Sequence, residues 1–188
     1  VPGKYVDSVK KACQDCPAGY TQSSSNMASC TECGAGTYQA KTSEVYCSPC
    51  NAGSITNTGT KAAATACIAC PAGSLCVARA TEATACSPGS FSASRGESSC
   101  VVCPYGMYSS AAASSCTLCP GGTYNSDQGT DAADHDSVDD CVTCATGKFS
   151  SEDRFSCETC SAGQYVYNLS VCISCEAGRY APVALTDE

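Results

Sequence analysis

The spacing of twenty cysteines, most of them in Cys-x-x-Cys pairs, constrains this chain more than any other feature of its sequence. Cysteine makes up about 11% of the 188 residues, above the roughly 8–10% that marks a disulfide scaffold in secreted chains. Val, Ile, Leu and Phe together supply only about 12%, which is too little for an ordinary hydrophobic core. We therefore expect covalent loops in place of a core, and an extracellular or cell-surface location.

A glycine register repeats with the cysteines about every 17 residues. In the stretch from Cys103 to Cys119, a Gly follows the first Cys by three residues, an aromatic follows it by five, and a new Cys-x-x-Cys comes about a dozen residues later. We expect the Gly to supply a turn with positive φ, and the aromatic ring to cover the disulfide as the core of its module. The glycines in this register are Gly3, Gly19, Gly36, Gly53, Gly73, Gly89, Gly106, Gly122, Gly147, Gly163 and Gly178.

This repeat predicts the fold class: a small disulfide-rich repeat array of short β-hairpins and turns, with little helix. The array is expected to run continuously over 1–188 in about 10 to 11 modules, with the first and last incomplete. Because each module is expected to contact only its neighbours, we expect an elongated rod. Two regions depart from the pattern, an atypical module over 67–100 and an acidic insert over 125–140. Short strands are expected at 37–39, 90–92, 107–109 and 164–167.

The cysteine spacing also suggests a connectivity, in which the second Cys of each pair bonds to the first Cys of the next. Loops of this size stabilise by roughly 3 kcal/mol each in the chain-entropy model. In the atypical module Ala83 occupies an expected Cys position, so we assign Cys76 as the partner of Cys70, although other pairings with Cys86 stay open. The predicted bridges are Cys16–Cys30, Cys33–Cys47, Cys50–Cys67, Cys70–Cys76, Cys86–Cys100, Cys103–Cys116, Cys119–Cys141, Cys144–Cys157 and Cys160–Cys172.

Two cysteines, Cys13 and Cys175, have no partner in this scheme. One interpretation is that Cys13 closes a loop whose first Cys precedes Val1, and that Cys175 opens a loop ending beyond Glu188. The other is an intermolecular disulfide, in which Cys175 of one copy bonds to Cys13 of the next and builds a head-to-tail fibre.

The elements Cys16-Pro-Ala-Gly-Tyr20, Cys70-Pro-Ala-Gly-Ser-Leu-Cys76 and Cys103-Pro-Tyr-Gly-Met-Tyr108 resemble the ephrin-receptor-like cysteine-rich repeat. They are also similar to the first half of a tumour-necrosis-factor-receptor module and to tandem Cys-x-x-Cys surface proteins of ciliates and algae. The resemblance covers nearly the whole chain and implies a disulfide-bonded extracellular repeat. It implies no single function, because such repeats serve receptors, adhesion proteins and coats alike.

Enzymatic and cofactor chemistry has little support in the sequence. Nine Cys-x-x-Cys pairs could form zinc sites, but an odd number of pairs and the regular Gly and aromatic spacing favour disulfides. No βαβ pattern surrounds any pair, which argues against thioredoxin-like redox activity. The single histidine, His135, lies in no catalytic motif. We therefore expect no enzyme activity and no cofactor.

The acidic insert is the one local exception. Clustered carboxylates can bind Ca²⁺, which takes roughly six to eight oxygen ligands, but the insert has no EF-hand spacing and no closing Glu. The alternative is a solvated acidic loop. The candidate calcium ligands are Asp127, Asp131, Asp134, Asp136 and Asp139.

Charge and sequon content define the expected partners. The net charge of −8 argues against nucleic acid as a partner, and no apolar run is long enough to insert into a membrane. No signal peptide is recognisable, so we expect any targeting segment to precede Val1. Asn168, in the only Asn-x-Ser/Thr sequon, is the candidate N-glycosylation site.

Together these features favour a glycosylated structural protein, a subunit or segment of a surface filament, hair or coat that self-associates head to tail or side by side. The alternative is the ectodomain stalk or binding module of a receptor or adhesin, which would need a focused aromatic cluster. The aromatic residues outside the repeat register are scattered along the sequence, which favours the structural interpretation. They are Tyr46, Tyr105, Phe155 and Tyr167.

Overall fold

The computed structural model describes residues 1–169 and 171–179. Its strands form ten antiparallel two-stranded hairpins, each joining consecutive strands of the chain. By internal contacts the chain divides into two compact units. One comprises Val1–Ala85 with Ser92–Cys100, and the other comprises Cys86–Phe91 with the residues from Val101 onward.

The first unit contains five hairpins. Most of their strands are two residues long. Tyr38 pairs with Ser48, for example, and Thr37 with Pro49, and the turn at Gly36 lies just before the first of these strands. The strands are β1 (Lys4–Asp7), β2 (Ala12–Asp15), β3 (Tyr20–Thr21), β4 (Thr31–Glu32), β5 (Thr37–Tyr38), β6 (Ser48–Pro49), β7 (Ser54–Thr56), β8 (Cys67–Ala69), β9 (Ser74–Leu75) and β10 (Thr84–Ala85).

The second unit contains the other five hairpins. Two 3₁₀ helices, η1 (Ala132–Asp134) and η2 (Val138–Asp140), lie in the long loop between its third pair of strands. The strands are β11 (Ser90–Phe91), β12 (Val101–Val102), β13 (Met107–Tyr108), β14 (Thr117–Leu118), β15 (Thr123–Tyr124), β16 (Val142–Thr143), β17 (Lys148–Ser150), β18 (Cys157–Thr159), β19 (Gln164–Tyr167) and β20 (Val171–Ser174). The predicted class of disulfide-rich repeat with short hairpins and little helix is confirmed.

Eight disulfides have the pairing that the spacing predicts, including Cys70–Cys76 in the atypical module. Cys86 and Cys100 are disulfide-bonded as well. Among the eight disulfides named first, the sequence separation of the two bonded cysteines ranges from 6 residues at Cys70–Cys76 to 22 at Cys119–Cys141. The described residues contain no helix that is both long and apolar enough to span a bilayer.

The buried core consists mainly of cysteine. Among the described residues, the buried apolar side chains are nine cysteines and Ala64. Rings in the repeat register, such as Tyr38 and Tyr108, are only half-buried. The expectation that each ring forms the core of its module is therefore wrong: in most modules the cysteine that closes the hairpin is buried, whereas the ring is only half-buried.

Candidate functional site

In seven of the described modules the first glycine is covered by a turn from the module after next. A Cβ atom placed on Gly36 would lie against the carbonyl oxygen of Arg79, far inside van der Waals contact. The Arg79 amide in turn donates a hydrogen bond of 2.9 Å to the carbonyl of Cys50, the cysteine that closes the Gly36 hairpin. We call such a glycine and cysteine together the glycine seat, and a residue such as Arg79 its covering residue.

The same arrangement recurs through both units. Covering amides also donate to the seat cysteine at Cys16 from Ser43 and at Cys33 from Ala63. The expectation that each module contacts only its immediate neighbours is therefore wrong, since every one of these contacts skips a module. The seat glycines and the residues nearest to them are Gly3 and Ser43, Gly19 and Ala63, Gly36 and Arg79, Gly53 and Gly96, Gly89 and Ala132, Gly106 and Asp153, and Gly122 and Leu169.

Most covering residues adopt a backbone conformation that is unusual for them. Ser43, Ala63 and Arg79 have φ angles of 62°, 61° and 62°, in the left-handed region that disfavours a Cβ. A strained backbone conformation persists where several surrounding contacts hold it. Here the amide of the covering residue donates to the seat cysteine, and its carbonyl packs against the seat glycine. Sequence reasoning missed these residues because they share no side-chain type.

A second contact joins adjacent modules through the residue three positions after the seat glycine. At Gln39 the carbonyl accepts from the amide of Gly19, at 2.8 Å, and the amide donates to the carbonyl of Ala64, at 3.0 Å. Side chains at this position are mostly buried and mostly polar. In the atypical module Cys76 takes this position, which explains how it reaches Cys70. The buried polar members are Gln22, Thr56, Ser92, Ser109, Asn125 and Ser150.

The acidic insert folds around His135, which is 0% exposed. Its Nδ1 lies 2.7 Å from the carbonyl oxygen of Met107, and its Nε2 lies 3.0 Å from Oδ2 of Asp127. Both partners are acceptors, so a ring protonated on both nitrogens can donate to each of them. Most carboxylates of the insert are exposed, as the alternative of a solvated acidic loop expects, but the insert also has a buried polar centre at His135.

Asp127 is held as a carboxylate by the turn that follows it. Hydrogen bonds from the Thr130 amide, from His135 and from the Thr130 hydroxyl hold the pKa of this carboxyl well below its ordinary value. The Thr130 amide and hydroxyl lie 2.9 Å and 2.8 Å from the carboxylate oxygens, and the Gly129 amide adds a further bond at 2.9 Å. Asp127 thus orients the histidine and the turn together.

The other candidate calcium ligands are dispersed. Asp131 caps η1 by accepting from the Ala133 amide, while Asp134, Asp136 and Asp139 are exposed. In residues 1–169 and 171–179, no three His, Cys, Asp or Glu side chains come together in a way that could hold a metal ion. The structure therefore does not assemble the five predicted carboxylates into one site.

Two aromatic residues that the sequence leaves scattered meet in the second unit. The rings of Tyr105 and Phe155 pack edge to face with centroids 5.2 Å apart, and both are partly exposed. Phe155 also lines a shallow groove of about 450 Å³ together with Glu152, Asp153 and Glu158. Tyr105 precedes the seat glycine Gly106, and Phe155 follows Arg154 in the turn that covers Gly106. The contact between this seat and its covering turn therefore brings the two rings together.

The remaining predicted site residues lie at the surface or half-buried. Cys13 is exposed and Cys175 is half-buried, and both are free thiols. Asn168 is exposed in a turn with φ of 49°, a position that an oligosaccharide-transferring enzyme could reach. Ser170, the last residue of the sequon, lies outside the described residues.

The comparison with known proteins agrees with this geometry. Residues 3–43 and 21–65 match the family model described as tyrosine-protein kinase ephrin type A/B receptor-like. The chain is thus a cysteine-rich tandem repeat protein, and residues 3–65 are similar to the ephrin-receptor-like repeat. No curated protein matches the sequence.

Proposed function

We propose that this chain is an extracellular structural repeat protein, a subunit or segment of a surface filament, hair or coat. The observation that carries the proposal is the glycine seat, which repeats along both units and is made by backbone atoms and cysteines rather than by specialised side chains. Such an interface can be extended indefinitely by adding modules, as an assembly built for length requires. Because the matched repeat is a non-catalytic type of module, the proposed role involves no enzymatic step.

An antibody raised against the native chain tests this role on intact, unpermeabilised cells by immunogold electron microscopy. The proposal expects label outside the plasma membrane, along extended or coat-like material. Label that appears only after permeabilisation would contradict it.

The proposal includes a glycan on Asn168. Expression in a secreting eukaryotic host should give a chain heavier than its sequence mass by one N-glycan, and Asn168→Gln should remove that increment. Asn51→Gln is the matched control, because Asn51 is exposed but outside any sequon. An unchanged mass in the Asn168 variant would contradict glycosylation there.

A second candidate, a binding module, is favoured by the Tyr105–Phe155 pair. Exposed rings beside Glu152, Asp153 and Glu158 suit a cationic side chain, through charge attraction and cation–π contact. A fluorescent Lys/Arg-rich peptide should then bind the chain, and Phe155→Ala should weaken binding while Tyr46→Ala, in the other unit, should not. Equal binding by both variants would count against this candidate.

A further inference from the structure

The shallow groove of the second unit carries three carboxylates that the chain itself leaves unneutralised. Glu152, Asp153 and Glu158 line it, all three are exposed, and none is in an ion pair within the described part of the chain. Arg154 is the nearest cation in the sequence, but it donates to backbone carbonyls, one of them that of Ser151 at 2.7 Å. The groove therefore presents net negative charge, and we call it the acidic groove.

Two exposed rings border these carboxylates. Phe155 lines the groove, and Tyr105 packs against it edge to face, with part of each ring left exposed. Asp153 is held beside them as a carboxylate, because the Ser151 hydroxyl and the Phe155 amide donate to it and lower its pKa. Exposed rings next to carboxylates suit a guanidinium group, which pairs with the negative charge and stacks on the ring.

The first unit contains a patch of the opposite charge. Residues 45–81 include no Asp or Glu, and their two cations, Lys61 and Arg79, are exposed and in no ion pair among the described residues. The turns that carry them are neighbours, since a Cβ placed on Gly59 would lie 3.7 Å from the carbonyl oxygen of Thr81. We call Lys61 and Arg79 the basic patch.

The overall charges of the two units differ in the same sense. The first unit has seven Lys and Arg residues against six Asp and Glu, whereas the described residues of the second unit have three against ten. When two copies of the chain meet, electrostatic attraction therefore favours a contact between unlike units over a contact between two second units.

We propose that the acidic groove binds the basic patch of a second copy of this chain, with Arg79 against the Phe155 ring. The argument is charge complementarity between two exposed surfaces that lack a partner of opposite charge in the described residues. Arg79 is suited to this contact because its backbone is fixed as a covering residue by the bond to Cys50, so its side chain extends from a rigid turn.

The docking joins two different surfaces, so it is a heterologous contact. Repetition of such a contact builds an open filament or a ring, depending on the rotation between copies. This inference rests on the proposed structural function and specifies the self-association that a filament or coat requires.

Two full-length charge-reversal variants test the docking by complementation. The basic-patch variant is Lys61→Glu/Arg79→Glu, and the groove variant is Glu152→Lys/Glu158→Lys. In analytical ultracentrifugation the native chain should self-associate, and each variant alone should do so at least about tenfold more weakly. An equal mixture of the two variants should associate again, because one keeps the native groove and the other keeps the native basic patch.

Two results would overturn the proposal. One is a native chain that remains monomeric at about 100 μM in about 50 mM salt, where surface charges are only weakly screened. The other is a mixture that associates no more strongly than the separate variants. Peptide mapping of the Cys50–Cys67 and Cys144–Cys157 bonds verifies that both variants fold.

Matched controls separate a specific contact from an effect of net charge. Lys41→Glu/Arg95→Glu changes the charge of the first unit by the same amount at exposed positions outside the basic patch, and Asp134→Lys/Asp136→Lys does so for the second unit outside the groove. Each control should change the association by less than about twofold. Controls that weaken association as much as the patch and groove variants would overturn the docking.

The outcome is separable from the proposed function. A chain that labels the cell surface but does not self-associate through the groove would overturn only the docking, and binding of the Lys/Arg-rich peptide by such a chain would assign the groove to another cationic partner. Specific docking by a chain found only inside cells would overturn only the surface role.

Discussion

The loops closed by Cys33–Cys47 and Cys119–Cys141 belong to the same kind of module but are held together differently. In the shorter loop one side chain suffices: Gln39 donates from Nε2 to the Tyr46 carbonyl at 2.8 Å and accepts from the Lys41 amide at 3.0 Å. In the longer loop Asn125 makes the equivalent bonds, to the Asp134 carbonyl and from the Asp127 amide. The eight additional residues of sequence separation are organised by His135.

This difference shows where sequence can vary without loss of structure. The regular module depends on backbone contacts, a glycine and a disulfide, so most of its loop side chains are free to change. The insert depends on particular ionisable side chains, so it is sensitive to substitution and to pH. A common repeat can therefore contain one region under tight chemical constraint.

The largest expected effect is the loss of a disulfide. Removing both cysteines as Cys33→Ala/Cys47→Ala or as Cys119→Ala/Cys141→Ala should lower the free energy of unfolding by about 3 kcal/mol each, with the longer loop losing about 0.4 kcal/mol more on chain entropy alone. Guanidinium chloride unfolding measures both. A loss below about 1 kcal/mol at Cys119–Cys141 would show that the side-chain network alone holds the insert.

Seat substitutions should have the next largest effect. Gly36→Ala, at φ of 74°, forces a methyl group against the Arg79 carbonyl and should lower the free energy of unfolding by about 2–3 kcal/mol. Gly122→Ala has the same backbone strain, but its methyl group would lie 2.6 Å from the Cβ of Leu169, a less severe approach than that to the Arg79 carbonyl oxygen at Gly36, so its effect should be smaller. Gly34→Ala, with nothing within 4 Å, is the control and should change stability by no more than about 1 kcal/mol. Equal effects at Gly36 and Gly34 would show that close approach is unimportant.

Loss of the buried histidine should affect the insert alone. His135→Ala removes the buried ring that contacts the Met107 carbonyl and the Asp127 carboxylate, and should destabilise by about 2 kcal/mol. Asp136→Asn is the matched control, since Asp136 is exposed and should contribute little. Hydrogen exchange locates the effect, and faster exchange in the Cys33–Cys47 loop as well would contradict a local role.

The smallest effect expected is the pH dependence of Asp127. Because its folded pKa lies below the unfolded value of about 3.9, it stabilises the fold at neutral pH, and this contribution is lost as the pH falls below about 4. The difference in urea midpoint between the native chain and Asp127→Asn should therefore shrink between pH 6 and pH 2.5. A difference in urea midpoint that grows on acidification would contradict a lowered pKa for Asp127.

The periodic part of this structure follows from the sequence, and the contacts that skip a module do not. Cysteine spacing predicts the hairpins and the pairing because each bond closes a local loop. The covering residues Ser43, Ala63 and Arg79 carry no common side chain, because their contacts use only backbone atoms. Tyr105 and Phe155 also look unrelated in sequence. The contact between Gly106 and the turn at Asp153 and Arg154, two modules later, is what brings their rings together.

The central position of His135 also escapes a sequence argument. A lone histidine among aspartates reads as solvent-exposed, and its burial depends on Met107, which lies in an earlier hairpin 28 residues away. Once the seat geometry is known, the insert can be understood as a turn that reaches back over earlier modules.

The pattern of disulfides also determines how this chain responds to tension. When the two ends of the chain are pulled apart, the force passes from Cys33 to Cys47 through their disulfide, which holds the two Cα atoms 5.6 Å apart. The residues between Cys33 and Cys47 then carry no load. Only the short link from Cys47 to Cys50 can straighten, giving about 16 Å per module, whereas a reduced module of about 17 residues would extend to roughly 58 Å. An oxidised module of this kind therefore reaches less than a third of the fully extended length of a reduced one.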